Sequence, residues 1–281
     1  MSALPEDRVR TLVRSSPQLA TLPSAYARLS KTLDDPACNA QRVARIVRND
    51  TALTARMLKV SNNAAFGNSR TVDTVLQAVV ILGTTRIRHM ALAAAVFGVF
   101  RGIPPHLLDV RMFWEHSLAV ALGAEILSRR VGQPPEALFV SGLLHDIGQL
   151  VVCQNMPADA LRVLTHAQQA RIEVFEAERE LLGFDHGEVG AELLTTWGLG
   201  AHAEAAALHH RPNDRASAWT DVIHVADVLA SELHFGGTGD PVAHTLDEKA
   251  WKRLGIRVNE LDAAIRELRT EFGGVVQAFM S

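Results

Sequence analysis

The sequence predicts an all-α protein built as two helical lobes. Apolar residues recur at three- and four-residue spacing along nearly every segment, which is the period of a helix with one buried face. Ala, Leu, Arg and Glu are abundant, tyrosine occurs once, and no stretch alternates apolar with polar residues as a half-buried strand does. With 281 residues, 48% of them hydrophobic, the chain can bury a substantial core. That size suits one large domain or two of ~100–200 residues, and the composition argues against disorder.

Helix boundaries follow in order from caps and breakers. Pro23 opens a helix to about Leu33, which Asp34-Asp35-Pro36 ends. Asn39 can cap a helix over Val43 to Val47, and Asp50 one over Ala52 to Val60. After a loop from Asn62 to Arg70, Asp73 can cap Val75 to Leu82. Gly83 closes that helix and Thr84 starts another, to about Val99. Gly102-Ile-Pro-Pro105 is the clearest internal boundary. A long helix runs from about Val110 to Arg130, with Phe113, Ser117, Val120, Ala124 and Leu127 along one side. Gly132 and Pro134-Pro135 separate it from the helix carrying His145 and Asp146, which Gly148 lets end just past the pair. Pro157, Asp185 and Trp197-Gly198 mark later boundaries. A helix from Ala201 to His210 is stopped by Pro212, and another spans about Thr220 to Leu233. Gly236-Gly-Thr-Gly239 reads as a flexible turn before one or two terminal helices from Asp247 onward. The expected divisions are a tail (1–15), a first lobe (16–105), a second lobe (106–235) and terminal helices (236–281).

A net charge of −3 conceals an asymmetry: residues 1–110 hold 14 Lys and Arg against 7 Asp and Glu, and the remainder 14 against 24. A basic half can meet anionic partners and an acidic half suits metal or a cationic partner, but two lobes attracting each other, or plain solvated helix faces, account for the asymmetry better. No apolar run approaches the ~20 residues that span a bilayer, Met90 to Phe100 being the longest, so no membrane association is expected. The start of the chain lacks a signal-peptide pattern. Cys38 and Cys153 form no paired motif and suit a reducing cytosol, so a cytoplasmic protein is expected.

The chemistry-bearing residues are His116, the pair His145-Asp146, His186, the doublet His209-His210, and Asp227. Mixed imidazole and carboxylate donors suit Zn, Mn, Fe, Co or Mg rather than a thiolate metal, and a bridging Asp146 would put all seven on two ions. Structural readings stand beside this one. A histidine near an apolar face is often a hydrogen-bonded core residue. His209 or His210 could complement the negative end of its helix. Asp227 could pair with His224 one turn earlier or with an arginine. Asp185 reads as an N-cap, with Glu188 completing a capping box just before His186.

In these segments the chain resembles the HD superfamily of metal-dependent phosphohydrolases, and more closely its HDOD branch. The likeness rests on Leu22-Pro23, Asn49 to Asn62, Ala65-Phe-Gly67 and Gln77 to Gly83. It continues through Phe113-Trp-Glu-His-Ser117, Gly142 to Gly148, Leu182 to His186, Trp197-Gly-Leu199 and His209-His210. It implies an N-terminal helical lobe packed on an HD-type helical bundle, and a role in bacterial signalling. By position, His116, His145, Asp146 and Asp227 match the basic HD metal site. His186, His209 and His210 match the further ligands of two-metal HD enzymes. One or two divalent ions (Fe, Mn, Zn or Mg) are therefore implied. Two departures concern the related HD-GYP phosphodiesterases. Their lysine three residues after the aspartate is Gln149 here, a weaker phosphate partner than a cation. Their Gly-Tyr-Pro signature is replaced by Arg211-Pro-Asn-Asp214, so hydrolysis of cyclic di-GMP is not expected.

Three functions follow as expectations. The first choice is a signalling module that binds a protein partner or a nucleotide ligand, acting in trans because the sequence carries no kinase or cyclase. The alternative is a metal-dependent phosphohydrolase acting on a nucleotide or cyclic nucleotide. There Asp146 would be the catalytic residue, bridging and orienting the attacking water, while Gln149 and Arg211 would meet phosphate. The weakest is nucleic-acid binding through Arg42, Arg45, Arg48, Arg56 and Lys59, which a solvated helix face explains better.

Overall fold

A computed structural model describes residues 5–15, 24–62, 71–100 and 102–280, with the side chains of a few helical residues, Arg56 among them, left out. Pro23 and the segment Ala65 to Gly67, used above, lie outside the described residues. All regular structure among those described is helical. The chain divides into two compact units, one of residues 1–20 and 100–268, the other of 21–99 and 269–281.

The second of these is built around α5 (Val75–Val99), against which α2 (Ser24–Leu33), α3 (Ala40–Arg48) and α4 (Thr51–Ser61) pack. Asn39 caps α3 by accepting from the Arg42 N–H at 3.0 Å, as its sequence predicts. Asp50 does the same for α4 through the Leu53 N–H at 2.9 Å. The cap of α5 is not Asp73 but Thr74. Its hydroxyl accepts from the Gln77 N–H, and the Gln77 amide reaches back to the N–H groups of Asp73 and Thr74. This reciprocal box satisfies more orphan donors than a lone aspartate could. Gly83 breaks α5 at φ 74°, ψ 165°, a conformation essentially reserved for glycine. Within the basic stripe, Arg42 pairs with Asp35 at 2.6 Å and Arg48 donates to the Ala44 carbonyl.

The other unit holds α1 (Pro5–Arg14), α6 (Val110–Val131), α7 (Pro135–Leu144), α8 (Ile147–Asn155), α9 (Pro157–Ala170), α10 (Val174–Leu182) and α11 (His186–Thr196). It continues with α12 (Ala203–Leu208), α13 (Ala218–Glu232), α14 (Glu248–Leu254) and the first part of α15 (Val258–Met280). Residues 5–14, read from sequence as part of a tail, form α1. Val9 and Val13, four apart and buried, put one face of α1 on α11, and Arg8 donates to the Leu182 carbonyl while lying over the Phe184 ring. α6 is the central helix, buried on almost every side from Phe113 to Ser128, with α7 and α13 against it.

Two glycines let helices meet at backbone distance. A Cβ on Gly142 would lie 2.7 Å from the Ala121 Cα, and one on Gly148 would lie 1.9 Å from the His186 carbonyl oxygen. Gly148 therefore does not end a helix past His145-Asp146: α7 stops before the pair, α8 starts after it, and Gly148 seats α8 on α11. The stretch Pro135–Asn155, with mean hydropathy 1.3, has the length and apolar character of a bilayer span, which the longest-run reading overlooked. It is 89% buried in the protein and carries His145 and Asp146 at its centre, so it is a pair of core helices.

Gly148→Ala and Gly142→Ala are expected to destabilise by about 1–3 kcal/mol each, the usual cost of overpacking. Gly98→Ala, where a Cβ meets nothing within 4 Å, is expected to be neutral or slightly stabilising. Urea unfolding of the three variants measures the contrast.

Candidate metal centre

Five elements of one unit bring the seven predicted groups together. His116 comes from the middle of α6, and His145 and Asp146 from the α7–α8 junction. His186 is the first residue of α11, held there by the Asp185 cap with Glu188 in its box. His209 and His210 follow α12, and Asp227 lies on α13. None of these side chains is more than 7% exposed. They form two groups whose donor atoms converge within 4.8 Å: Asp146, His186, His209 and His210 in one, His116, His145 and Asp227 in the other.

The hydrogen bonds fix which nitrogens face inward. His145 Nδ1 lies 2.8 Å from the Gly142 carbonyl and His209 Nδ1 lies 2.9 Å from that of Ala206. A carbonyl only accepts, so each Nδ1 carries a proton and each Nε2 faces inward. His186 Nδ1 lies 2.7 Å from Glu178, a buried carboxylate that orients the ring in the same manner. The inward Nε2 atoms then meet acceptors. His209 Nε2 is 2.9 Å and His186 Nε2 3.3 Å from Asp146 Oδ1, and His145 Nε2 is 3.2 Å from Asp146 Oδ2. The Nε2 atoms of His186 and His210 are 2.8 Å apart. Asp227 Oδ1 is 3.0 Å from His116 Nε2 and 3.7 Å from His145 Nε2. Contacts between such acceptors at these distances need either a proton or a metal ion between the two atoms. Ligands held ~2.1 Å from one ion at right angles stand ~3.0 Å apart, so the spacing fits a divalent metal. His145 Nε2 and His210 Nδ1 are buried without a well-formed hydrogen bond, as nitrogens facing a metal would be.

Charge balance leads to the same requirement. The recorded partners of Asp146, Asp227 and Glu178 are histidine rings and one backbone N–H, with no lysine or arginine among them. Burial pushes the Asp146 carboxyl up, but His145 and His186 hold it well below the ordinary range. Asp227 is likewise raised by burial and drawn well down by His244, His116 and His145. Burial lowers His145, yet Asp146 and Asp227 raise it to about 10, and Glu178 with Asp146 raises His186. Burial and the neighbouring His209 lower His210 to about 3. Without metal, protons on the histidines take the cation's part.

The alternative pairings for Asp227 do not occur. His224 instead donates from Nδ1 to the His209 carbonyl at 2.6 Å and accepts the Asp247 N–H at Nε2, bracing the His209 backbone. Gln149 and Arg211 stand outside the cluster. The Gln149 amide donates to the Thr238 carbonyl at 2.7 Å, and Arg211 pairs with Asp185 at 2.8 Å and Glu188 at 3.4 Å.

Sequence reasoning missed four groups at this centre: Glu173, Glu178, Asp240 and His244. Glu173 and Glu178 are not singled out in the sequence, and His244 lies beyond the segment read as a flexible turn. That turn is a packed strap. Gly237 donates to the Met112 carbonyl, and a Cβ on Gly236 would fall 2.3 Å from the His116 nitrogen. His244 Nδ1 is 2.8 Å from Asp227 Oδ2 and its Nε2 3.3 Å from Asp240, two carboxylates that raise it to about 12 against the lowering effect of burial. The Asp240–His244 spacing of four residues was the available signal.

Mn²⁺ at about a hundred times its dissociation constant is expected to stabilise the protein by about 2.7 kcal/mol per ion bound, and Asp146→Ala, which removes a carboxylate facing both groups, to abolish that gain in a thermal melt. Histidine pKa values raised by folding stabilise the metal-free protein below about pH 6.5, and this is lost as pH rises through their folded values, about 10 for His145. Metal uptake is therefore expected to release protons and to tighten between about pH 6 and pH 9. Calorimetric titration in two buffers of different ionisation heat counts those protons.

The model of the HDOD domain family matches residues 19–212. Among solved structures, the fold is similar to an HDOD domain protein of unknown function from Geobacter sulfurreducens. That pair is 26% identical, covers 98% of this chain and 99% of the other, and has a TM-score of 0.77. A candidate phosphohydrolase from Shewanella amazonensis SB2B is 25% identical, with 95% and 96% covered and a TM-score of 0.75. An uncharacterised protein of Treponema pallidum (strain Nichols) is 22% identical over 183 residues, which is 63% of this chain and only 34% of that protein's length. With the family's pattern matched over more than half of its length, and its helices and histidine–aspartate cluster in place, the chain belongs to the HDOD domain family.

Proposed function

We propose that this protein is a bacterial signal-transduction module, acting in the cytoplasm, whose divalent-metal centre tunes its affinity for a protein partner. The observation that carries this reading is the fate of the two groups expected to meet phosphate. Gln149 is tied to the strap through Thr238, and Arg211 is held by Asp185 and Glu188. Each is thus tied to a protein partner, Gln149 through its amide nitrogen and Arg211 through one nitrogen of its guanidinium. The cavity beside His116 and His244 measures about 220 Å³, below the ~300–1,000 Å³ of ordinary small-molecule sites. His116, His145, Asp146 and Asp227 would hold one ion and Asp146, His186, His209 and His210 a second. Those ligands lie on five elements, so an ion ties the elements together. Metal occupancy then shifts the packing of those elements, and through it a partner's affinity, by 1–3 kcal/mol if the coupling is of usual size.

The second reading, a phosphohydrolase, is favoured by the completeness of the seven-group set and by the likeness to the Shewanella protein. A bound divalent ion would supply Lewis-acid polarisation of a phosphate and a more acidic water. Asp146, reaching both groups through its two oxygens, would orient that water, and the strap would have to move to admit a nucleotide.

Protein loaded with Mn²⁺ or Fe²⁺ is expected to turn over nucleotides and cyclic nucleotides no faster than Asp146→Ala. Cross-linking in cells of the source bacterium is expected to capture a partner with wild-type protein and about 5–150-fold less with Asp227→Ala. Hydrolysis that disappears in a folded Asp146→Ala variant would establish the enzyme instead.

A further inference from the structure

The strap residue His244 belongs to a third convergent group, and it repeats the construction of the histidines already described. One donor atom each from Glu173, His210 and His244 lies within 4.8 Å of the others. We propose that Glu173, His210 and His244, with Asp227 Oδ2, form an accessory divalent-cation subsite adjoining the metal centre. The proposal rests on the reading of that centre as a metal site and extends it to residues beyond the seven.

Four observations support it. His244 has one nitrogen turned to a carboxylate that can orient it, Asp240, and the other 2.8 Å from Asp227 Oδ2. This matches His186, which lies between Glu178 and Asp146. Asp240 is itself held in place, accepting from the Val174 N–H at 2.6 Å and the Thr238 hydroxyl at 2.7 Å, as an orienting carboxylate should be. The His210 Nδ1 atom is buried, has no hydrogen-bond partner, and lies 3.7 Å from the same Asp227 Oδ2. The 220 Å³ cavity is lined by His116, Asp240 and His244, giving a hydrated ion a way to the subsite.

Asp227 thereby serves both sides, Oδ1 toward His116 and His145, Oδ2 toward His244 and His210. A neutral His210 carries one ring proton and so ligates either through Nε2 toward Asp146 or through Nδ1 toward Asp227 at any moment. Glu173, His244 and Asp227 Oδ2 remain as ligands in both cases. Two carboxylates with one or two imidazoles suit Mn²⁺, Fe²⁺ or Zn²⁺. Because His244 sits on the strap, an ion here would fasten residues 236–247 to the centre.

The test counts Mn²⁺ bound to full-length wild-type protein, His244→Gln, Glu173→Gln and Asp240→Asn by equilibrium dialysis and metal analysis. Circular dichroism confirms that each variant is folded. His244→Gln and Glu173→Gln are each expected to bind one equivalent fewer than wild type. Asp240→Asn, which leaves the ligands but weakens the orientation of His244, is expected to loosen that one equivalent by about 10–100-fold. Wild-type stoichiometry and affinity in both glutamine variants overturns the subsite while leaving the centre standing. Wild-type protein that takes up no Mn²⁺ overturns both.

Discussion

Two carboxylates, Asp146 and Asp227, are buried to within 1% of complete in a helical core, and the surrounding structure is arranged around that fact. An ionised carboxylate in such a place costs several kcal/mol unless compensated. Arginine pairs are used elsewhere in the same unit, as with Arg253 on Asp221 and Arg211 on Asp185, but at these two the surrounding side chains are imidazoles. Imidazoles accommodate either protons or a divalent ion. The choice of histidine over arginine makes the core's charge balance exchangeable.

That constraint explains the backbone around the site. His145 and Asp146 occupy a break between α7 and α8 rather than the body of a helix, which frees both oxygens of Asp146 to reach separate groups. The glycines on either side bring α6 and α11 close enough for His116 and His186 to complete those groups. Carbonyls of Gly142 and Ala206, and the Glu178 carboxylate, then fix the rings. Each of these partners sets which nitrogen faces inward, so the donor set is prepared before any ion arrives.

The strap links this interior chemistry to the rest of the unit. Through Thr238 it holds Gln149, through Asp240 the start of α10, through His244 Asp227, and through Asp247 the ring of His224. The centre is thus joined to α8, α10 and α13 by direct contacts.

Much of this was legible in the chain alone. Helical periodicity, the caps at Asn39, Asp50 and Asp185, and the break at Gly83 are local signals, decided within a few residues. The seven donors were readable because their residue types are rarely buried without purpose. What the sequence could not disclose depended on distance in the chain. The role of Gly148 needed the approach of α11, nearly forty residues later. Glu178 and His244 look like ordinary polar residues until folding places them against His186 and Asp227. The commitment of Gln149 to Thr238 spans 89 residues. Local sequence determined the helices and the donor types; only tertiary packing decided which nitrogen faces which carboxylate, because hydrogen-bond geometry is settled between elements and not along them.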